Sequence, residues 1–478
     1  MIESPSDTGA TRTARAALTH AFEAASAYLQ SRDSRPVWPT ATIESLRAAL
    51  GGPLQRLPID AGVVLDDLVR AAEPGLVATT GPRYFGFVTG GALPATVGAD
   101  WLAAVWDQPA ALYVLSPAAA VVEEVAGAWL LEVLGLPSTA SVGFVTGCHM
   151  ANFTALAAAR LEVLRRAGWD LDQNGLQGSP PIRVLVGNEV HVSVVGALRM
   201  LGIGSRQIER VDADEQGRMR PASLERALQS PTGPTIVCAQ AGNVNTGAFD
   251  PLDEIAGVAS RHGAWLHVDG AFGLWASACA ALRPHMRGVE RADSWATDAH
   301  KWLNVPYDSG LVFVAHPAAH RAAMSLTAAY LVRSGPQPRE NMDWTPESSR
   351  RARGFAVYAA LRSLGTDGIE DLIGRCCRHA RRFADKLGAD SRVTILNDVV
   401  LNQVLVRFED DDDATRTVIA RVQEERVCWV GGTRWRNMEA MRISVSNWST
   451  TEADVDRSVQ SILHAIGSPT RPAAPPPD

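Results

Sequence analysis

The sequence lacks the features that would place it in a membrane, a secretory route or a nucleic-acid complex. No window of the 478 residues approaches eighteen uninterrupted apolar residues, and residues 1–20 contain no apolar core of signal-peptide length. The net charge is −7 and no run of lysine or arginine occurs, which argues against a nucleic-acid partner. We therefore expect a soluble, cytoplasmic protein without a membrane partner.

Cysteine is scarce, and its positions follow no metal-ligand spacing. We therefore expect no metal site, and in a reducing compartment the six thiols are interpreted as free and mostly in the core. They are Cys148, Cys238, Cys279, Cys376, Cys377 and Cys428.

The length and the apolar pattern indicate an α/β protein with more than one domain. The chain is too long for one compact core, and 46% hydrophobic with 20% charged residues is typical of a globular protein. Apolar runs at 182–186, 235–239 and 265–268, with a crossover helix at 253–261, predict a mostly parallel sheet covered on both faces. Functional side chains are then expected beyond the carboxyl ends of the strands.

Two polar residues lie at such predicted strand ends. Lys301 follows the run at 294–297, and Asp269 closes the run at 264–268. An amine and a carboxylate at adjacent strand ends are what pyridoxal phosphate requires, because the lysine forms a Schiff base and the carboxylate keeps the pyridine nitrogen protonated. A structural ion pair is the alternative that these two residues alone leave open.

The sequence around both residues resembles a known family. His-Val-Asp-Gly-Ala-Phe-Gly (267–273) and Asp-Ala-His-Lys-Trp-Leu (298–303) resemble the signatures of the group II pyridoxal-phosphate-dependent amino acid decarboxylases. That family includes aromatic-amino-acid, tyrosine, glutamate and cysteine-sulfinate decarboxylases, and the resemblance runs from about Gly81 to Trp448. It implies an α/β fold of type I (aspartate aminotransferase-like), with a mostly parallel seven-stranded sheet in a large domain and a smaller α+β C-terminal domain.

The resemblance implies catalytic roles for four residues. Lys301 binds pyridoxal 5'-phosphate, Asp269 holds the pyridine nitrogen, and His191 stacks on the ring and meets the substrate carboxylate. Tyr330, 29 residues after Lys301, lies in the position of a mobile-loop tyrosine that protonates the substrate carbon after CO₂ leaves. Because Lys301 must lose its proton to act as a nucleophile, we expect its environment to lower its pKa.

A loop of small residues before a long helix is the candidate phosphate site. Free N–H groups at a helix start, together with the helix dipole, bind anions. The loop resembles the phosphate-binding loop of the family, with Cys148 and His149 in place of small or hydroxyl residues, so the backbone contacts are expected to remain. The full implied set of cofactor contacts is Thr146, Gly147, Cys148, His149, His191, Asn243, Asp269, Ala271, His300 and Lys301.

The stretch 81–88 resembles the family segment that forms part of the substrate side-chain pocket. Tyr84, Phe85 and Phe87 are its candidate substrate contacts, and together with Trp302 they favour an aromatic or bulky apolar amino acid. No additional arginine or lysine marks a site for an acidic side chain. The predicted reaction is decarboxylation of an L-amino acid to the amine. The alternatives are decarboxylation-coupled oxidative deamination, β-elimination or transamination on the same fold, and a degenerate member without turnover.

We predict four segments along the chain. These are an N-terminal helical arm at 1–95, a large cofactor-binding domain at 96–367, a small C-terminal domain at 368–467 and a disordered tail at 468–478. The resemblance implies that the arm packs across the partner in a homodimer. Helices are predicted at 43–50 and 61–72, and small-domain strands at 394–396, 403–408, 427–430 and 441–445.

Overall fold

The computed structural model describes residues 9–229, 233–326 and 339–467. Three helices come first: α1 (Gly9–Ser31), α2 (Ile43–Leu50) and α3 (Ala61–Ala72). Helix α2 has the predicted bounds because Thr42 and Ser45 form a reciprocal capping box at its start. Helix α3 also has the predicted bounds, and the Asp60 carboxylate accepts hydrogen bonds from the N–H groups of Gly62 and Val63.

A seven-stranded sheet forms the centre of the large domain, and the strand order is β1-β7-β6-β5-β4-β2-β3. Strand β7 runs antiparallel to both of its neighbours, and the other pairings are parallel, which confirms the mostly parallel seven-stranded sheet. The strands are β1 (Ser141–Val145), β2 (Arg183–Gly187), β3 (Ile208–Val211), β4 (Thr235–Gln240), β5 (Trp265–Asp269), β6 (Ser294–Asp298) and β7 (Gly310–Val314).

Helices cover both faces of this sheet. They are α4 (Pro94–Trp106), α5 (Pro117–Val133), α6 (Cys148–Arg166), α7 (Leu171–Asn174), α8 (Val192–Met200), α9 (Pro221–Leu228), α10 (Leu252–Arg261), α11 (Pro317–Met324) and α12 (Gly354–Gly388). Helix α6 packs against β5, β6 and β7. Its sheet-facing side carries Ala151, Ala155 and Ala158, all fully buried, and these small side chains allow close approach to the strands.

The small domain is built on a four-stranded antiparallel sheet of order β10-β11-β9-β8. Its strands are β8 (Val393–Ile395), β9 (Gln403–Phe408), β10 (Gly431–Trp435) and β11 (Met438–Ser444), with helices α13 (Asp412–Glu425) and α14 (Glu452–Gly467). This arrangement confirms the smaller α+β domain, and β9 has the predicted bounds.

The strand predicted at 427–430 is wrong, because β10 begins only at Gly431. The segment 427–430 pairs instead with the aromatic stretch near the N-terminus. The Trp429 N–H donates to the Arg83 carbonyl at 3.0 Å, and the Phe85 N–H donates to the Trp429 carbonyl at 2.9 Å. An apolar run that pairs with a distant segment has the same local pattern as a sheet strand, so sequence alone does not separate the two.

Helix α12 crosses the predicted boundary between the two domains. It is interrupted only at Gly365, whose φ of 61° and ψ of −177° are not helical. The division at 367/368 therefore falls inside this helix, close to its kink, and stays a prediction. The predicted tail at 468–478 lies outside the described residues.

Candidate active site

The carboxyl ends of the neighbouring strands β5 and β6 carry the two acidic residues of the site. Asp269 is the last residue of β5 and Asp298 is the last residue of β6. Lys301 follows in the turn after β6, and its amine lies 3.0 Å from the Asp298 Oδ2. The sheet therefore brings the predicted lysine and Asp269 to one edge, but the ion-pair partner of the lysine is Asp298.

This partner reverses the expected pKa of Lys301. Burial is the largest single influence and lowers the pKa, but the charge and hydrogen bond of the Asp298 carboxylate, together with other nearby acidic groups that include Asp269, outweigh it. The pKa of Lys301 is therefore raised above its usual value, and the expectation of a lowered pKa is wrong for the cofactor-free chain. The amine is an ion-paired ammonium until its surroundings change.

The Asp298 carboxylate also caps the first turn of helix α6. Its Oδ1 accepts a hydrogen bond from the Cys148 N–H at 2.5 Å and lies 3.3 Å from the His300 Nε2. The His300 Nδ1 accepts from the Ser309 N–H at 3.1 Å, so Nε2 carries the proton of the neutral imidazole. Burial lowers the pKa of His300, and its ring stacks on Tyr307 with centroids 4.3 Å apart.

The start of α6 fits a phosphate group. The first helical hydrogen bond runs from the Ala151 N–H to the Gly147 carbonyl, so the N–H groups of His149 and Met150 point out of the helix end. Gly147 lies against His300 and Asp298, where an added Cβ would be 3.2 Å and 3.5 Å from their nearest atoms. Gly310 packs directly on the Gly147 backbone and leaves no room for a side chain. Lysine, paired carboxylate and helix end are the parts that pyridoxal phosphate requires.

Asp269 is held by two side chains of helix α6 and by a backbone N–H of the loop after β5. Its Oδ1 accepts from the Ala271 N–H at 3.1 Å and from the Cys148 thiol at 3.4 Å, and its Oδ2 accepts from the Asn152 amide at 3.3 Å. Burial, with the nearby Asp269 carboxylate, raises the pKa of Cys148 well above its usual value, so this thiol stays protonated and donates.

His191 caps helix α8 next to this network. Its Nδ1 accepts from the Ser193 N–H at 3.2 Å and lies 2.7 Å from the Ser193 Oγ. Burial lowers the pKa of His191, so the imidazole is neutral at pH 7. A neutral ring can pack on an aromatic cofactor without the cost of burying a charge.

The predicted aromatic residues divide between a surface cluster and the core. Trp429 stacks on Tyr84 at 5.0 Å, on Phe87 at 5.3 Å and on Trp38 at 6.1 Å, and we call these four residues the aromatic cluster. Burial raises the pKa of Tyr84 to about 12. Phe85 differs from the expectation, because its ring is 1% exposed and packs edge-on against Phe383. Phe85 therefore packs in the core below the 81–88 segment.

The remaining predicted cofactor contacts lie around the same edge. Asn243 uses its side-chain oxygen within its own loop, where it accepts from the N–H groups of Asn245 and Thr246, and its amide nitrogen faces the Glu189 carbonyl at 3.4 Å. His149 is exposed beside Gly196 on α8, and Thr146 is half-buried in the loop. Tyr330 lies outside the described residues.

Arg442 on β11 is a site residue that the sequence reasoning missed. It is half-buried, its electrostatic influence reaches His191, and its guanidinium donates to the Val244 carbonyl at 3.3 Å. Burial lowers its pKa, and within 9–229, 233–326 and 339–467 no carboxylate forms an ion pair with it. Asn152, His267 and Asp298 were also missed.

In the part of the chain that the structure describes, no group of three or more histidine, cysteine, aspartate or glutamate side chains is arranged to hold a metal ion. None of the helices in the described ranges is both long and apolar enough to span a bilayer.

Fold and site together define a pyridoxal-phosphate enzyme of fold type I. The chain belongs to the pyridoxal-dependent decarboxylase family, since the model of the pyridoxal-dependent decarboxylase conserved domain matches residues 47–409. It is therefore a pyridoxal-phosphate-dependent amino acid carboxy-lyase by family.

Named relatives span different substrate classes. Tryptophan decarboxylase 1 of Oryza sativa is 27% identical over 468 residues, which cover 91% of this chain and 90% of the rice protein. An acidic amino acid decarboxylase of Mus musculus is 30% identical over 339 residues, which cover 69% of this chain and 61% of the mouse protein. The crystal structure of Oryza sativa TDC with PLP and tryptamine has a TM-score of 0.88 at 25% identity and covers 98% of this chain and 99% of its own.

Proposed function

We propose that this enzyme decarboxylates an aromatic or other bulky apolar L-amino acid to the corresponding amine. The observation that carries the proposal is the position of the aromatic cluster relative to Lys301. The stretch that holds Tyr84 and Phe87 continues to Gly90, which lies directly on the Lys301 carbonyl and has no space for a side chain. The apolar side chain of a substrate held at Lys301 would therefore lie close to the rings of the aromatic cluster.

The residues of the chain divide the chemistry among them. When bound, pyridoxal phosphate supplies an electron sink for the bond that breaks at the substrate α carbon. Lys301 would hold the cofactor and exchange a proton with its surroundings, and Asp269 would keep the ring nitrogen protonated. The N–H groups of His149 and Met150 would hold the phosphate at the helix end. Neutral His191 covers the site and excludes water from the reacting carbon.

The test is a panel of L-amino acids with all products measured. Phenylalanine, tyrosine and tryptophan are compared with aspartate, glutamate and cysteine sulfinate, and CO₂, amine, aldehyde, ammonia and peroxide are quantified. We expect CO₂ and amine in equal amounts from an aromatic substrate. Aldehyde with ammonia and peroxide would support the oxidative alternative, and CO₂ from acidic substrates only would exclude the aromatic proposal.

A variant at the aromatic cluster sharpens this test. Phe87→Ala should lower kcat/KM for the best aromatic substrate about 10-fold or more, because it removes apolar contact from the side-chain pocket. Phe22→Ala on α1 is the matched control, since Phe22 is similarly exposed but packs edge-on against Trp101 of α4 and not in the aromatic cluster. Equal kcat/KM values for the two variants would show that the aromatic cluster does not select the substrate.

Arg442 favours a second candidate, an amino acid with an acidic side chain. A half-buried guanidinium without an ion-pair partner in the described ranges is suited to a carboxylate or sulfinate. If the substrate is acidic, Arg442→Met should lower kcat/KM for it about 10- to 100-fold. If the substrate is aromatic, the same variant should affect aromatic and acidic amino acids alike, and the panel measured with this variant separates the two candidates.

We also propose that the enzyme is a homodimer with shared active sites. Exposed apolar side chains cover α2 and α3 and reach the rim of the site, where Phe87, Val192 and Tyr307 are 65%, 77% and 59% exposed. A second copy would cover them and gain a stable interface. Sedimentation of Leu68→Glu should show dissociation with loss of activity, whereas Arg70→Glu on the same helix should stay a dimer. A fully active wild-type monomer would contradict the proposal.

A further inference from the structure

A single buried amide connects the two groups expected to contact the cofactor ring. Asn152 lies in the first turns of α6 and is fully buried. Its Nδ2 lies 3.3 Å from the Asp269 Oδ2 and 3.3 Å from the Ser193 Oγ, and its Oδ1 lies 2.9 Å from the His267 Nε2. All the polar atoms of this side chain therefore have partners, two of them on β5 (His267 and Asp269) and one on α8 (Ser193).

The chemistry of these partners fixes the orientation of the amide. An ionised carboxylate only accepts hydrogen bonds, so the Asn152 nitrogen must face Asp269. The Asn152 oxygen then faces His267, and an amide oxygen only accepts. His267 must therefore carry its proton on Nε2. Burial lowers the pKa of His267 to about 4, so the ring is neutral and its Nδ1 is left as an acceptor.

The hydrogen bonds on the other side of the His267 ring point in the same direction. The Ser294 Oγ lies 3.0 Å from the His267 Nδ1, and the Trp265 Nε1 lies 2.9 Å from the Ser294 Oγ. An indole N–H only donates, so the serine accepts from Trp265 and donates to His267. Hydrogen bonds therefore run in one sense from Trp265 through Ser294, His267 and Asn152 to Asp269. Trp265, Ser294 and His267 are fully buried, so water does not compete.

The second hydrogen of the Asn152 amide reaches His191 through Ser193. The backbone N–H of Ser193 donates to the His191 Nδ1, so that nitrogen is an acceptor. The Ser193 hydroxyl also donates to it at 2.7 Å, which leaves the serine oxygen free to accept from Asn152. The neutral His191 ring consequently carries its proton on Nε2.

We propose that Asn152 is a positioning residue. His267 orients the Asn152 amide, and the amide in turn holds Asp269 as an acceptor and His191 as the Nε2–H tautomer at the same time. The proposal rests on the proposed function only in the roles of Asp269 and His191 toward the cofactor. It predicts that these two groups respond together when the amide or its orienting histidine is changed. The identity of the substrate does not enter.

The sharpest test compares two replacements of His267. His267→Gln retains an N–H donor for the Asn152 oxygen, whereas His267→Leu has similar bulk without a donor. We expect Gln to retain the wild-type dissociation constant for pyridoxal phosphate, measured by equilibrium dialysis, and Leu to weaken binding about 10-fold or more. Ser458→Ala on α14, a fully buried position whose hydroxyl donates to the Asp454 carbonyl, is the control and should bind as wild type. A packing role would instead make the Leu variant equal to Gln.

A second readout needs no cofactor. In the cofactor-free enzyme, side-chain ¹⁵N shifts of labelled histidine should show the Nε2–H tautomer for both His267 and His191. Asn152→Leu should change the shifts of both residues, and Ser193→Ala should change His191 only. A proton on Nδ1 of His267, or a His191 signal that Asn152→Leu leaves unchanged, would overturn the proposal. Because neither readout uses a substrate, the proposal about Asn152 can fail while the proposed decarboxylation stands. The proposed decarboxylation can likewise fail while the role of Asn152 stands.

Discussion

The Asp298 carboxylate lies 3.0 Å from the Lys301 amine and at the same time accepts a hydrogen bond from the Cys148 N–H at the start of α6. One anion therefore holds both the lysine and the helix end to which we assign the cofactor. Two anions at one helix end repel each other, so cofactor binding must change the surroundings of Asp298.

Asp298→Asn keeps the size of the side chain and removes its charge. Because the Asp298 carboxylate raises the pKa of Lys301, the pKa should fall in the variant. A lysine reacts only as the neutral amine, whose fraction rises as the pKa falls, so covalent attachment of pyridoxal phosphate should begin at lower pH than in the wild type. The measurement is the amount of borohydride-trapped cofactor per chain as a function of pH.

Asp293→Asn controls for the loss of one carboxylate near β6, because Asp293 pairs with His316 and not with the lysine. Its pH profile should match the wild type. An Asp298→Asn profile that is unchanged or displaced to higher pH would contradict the role given to Asp298.

The sequence offers a decisive assignment of the cofactor lysine, because it contains only two lysines, Lys301 and Lys386. Lys386 lies on α12 and pairs with Asp456 at 2.9 Å. Borohydride reduction followed by peptide mapping should place the pyridoxyl group on Lys301. Lys386→Arg should retain full labelling and Lys301→Arg should lose it. Label on Lys386 in the wild type would refute the assignment of the site.

Tyr330→Phe tests the predicted acid of the reaction, which rests on the sequence resemblance alone. The change removes a proton donor and little volume, so substrate binding and CO₂ release should survive. General acids of this kind contribute about 10²–10⁴-fold, and amine formation should fall within that range while aldehyde and ammonia rise. Tyr358→Phe on α12 is the control. Amine production at the wild-type rate would remove Tyr330 from the mechanism.

The contribution of an ion pair to the free energy of unfolding should depend on how deeply the pair is buried. Glu123 and Arg350 lie 2.7 Å apart with side chains 1% and 0% exposed, whereas Asp100 and Arg351 lie 2.8 Å apart and are 35% and 41% exposed. Glu123→Leu leaves a buried guanidinium without its partner and should lower the free energy of unfolding by about 3–5 kcal/mol. Asp100→Leu should lower it by about 0–1 kcal/mol. Urea denaturation of both variants checks this, and equal losses would contradict it.

Local patterns predicted much of the fold, and the limits have physical causes. Helices α2 and α3 have their predicted bounds because their caps, Thr42 and Asp60, are visible in the sequence. The sheet followed from buried strand runs and the crossover helix. The segment 427–430 was misassigned because its partner, residues 83–85, is remote in the chain.

The candidate site shows the same division. Asp269 and Lys301 stand in short motifs, so their places at the sheet edge could be predicted. The raised pKa of Lys301 depends on the direction of the Asp298 carboxylate, and no sequence pattern specifies that direction. The link of Asn152 to His267 joins residues 115 positions apart, and Arg442 reaches the site from another domain. Such contacts exist only after folding.

The aromatic cluster is assembled from three separate stretches of the chain: Trp38, the 84–87 segment and Trp429, and the last two pair through backbone hydrogen bonds. A side chain on Gly86 would overlap the Trp429 ring, so any enlargement at position 86 requires a smaller residue at 429. Transplanting an 81–91 stretch with a larger residue at position 86, while Trp429 stays in place, would produce a steric collision. If the aromatic cluster contacts the substrate as we propose, a change of substrate preference that enlarges residue 86 must alter both stretches together.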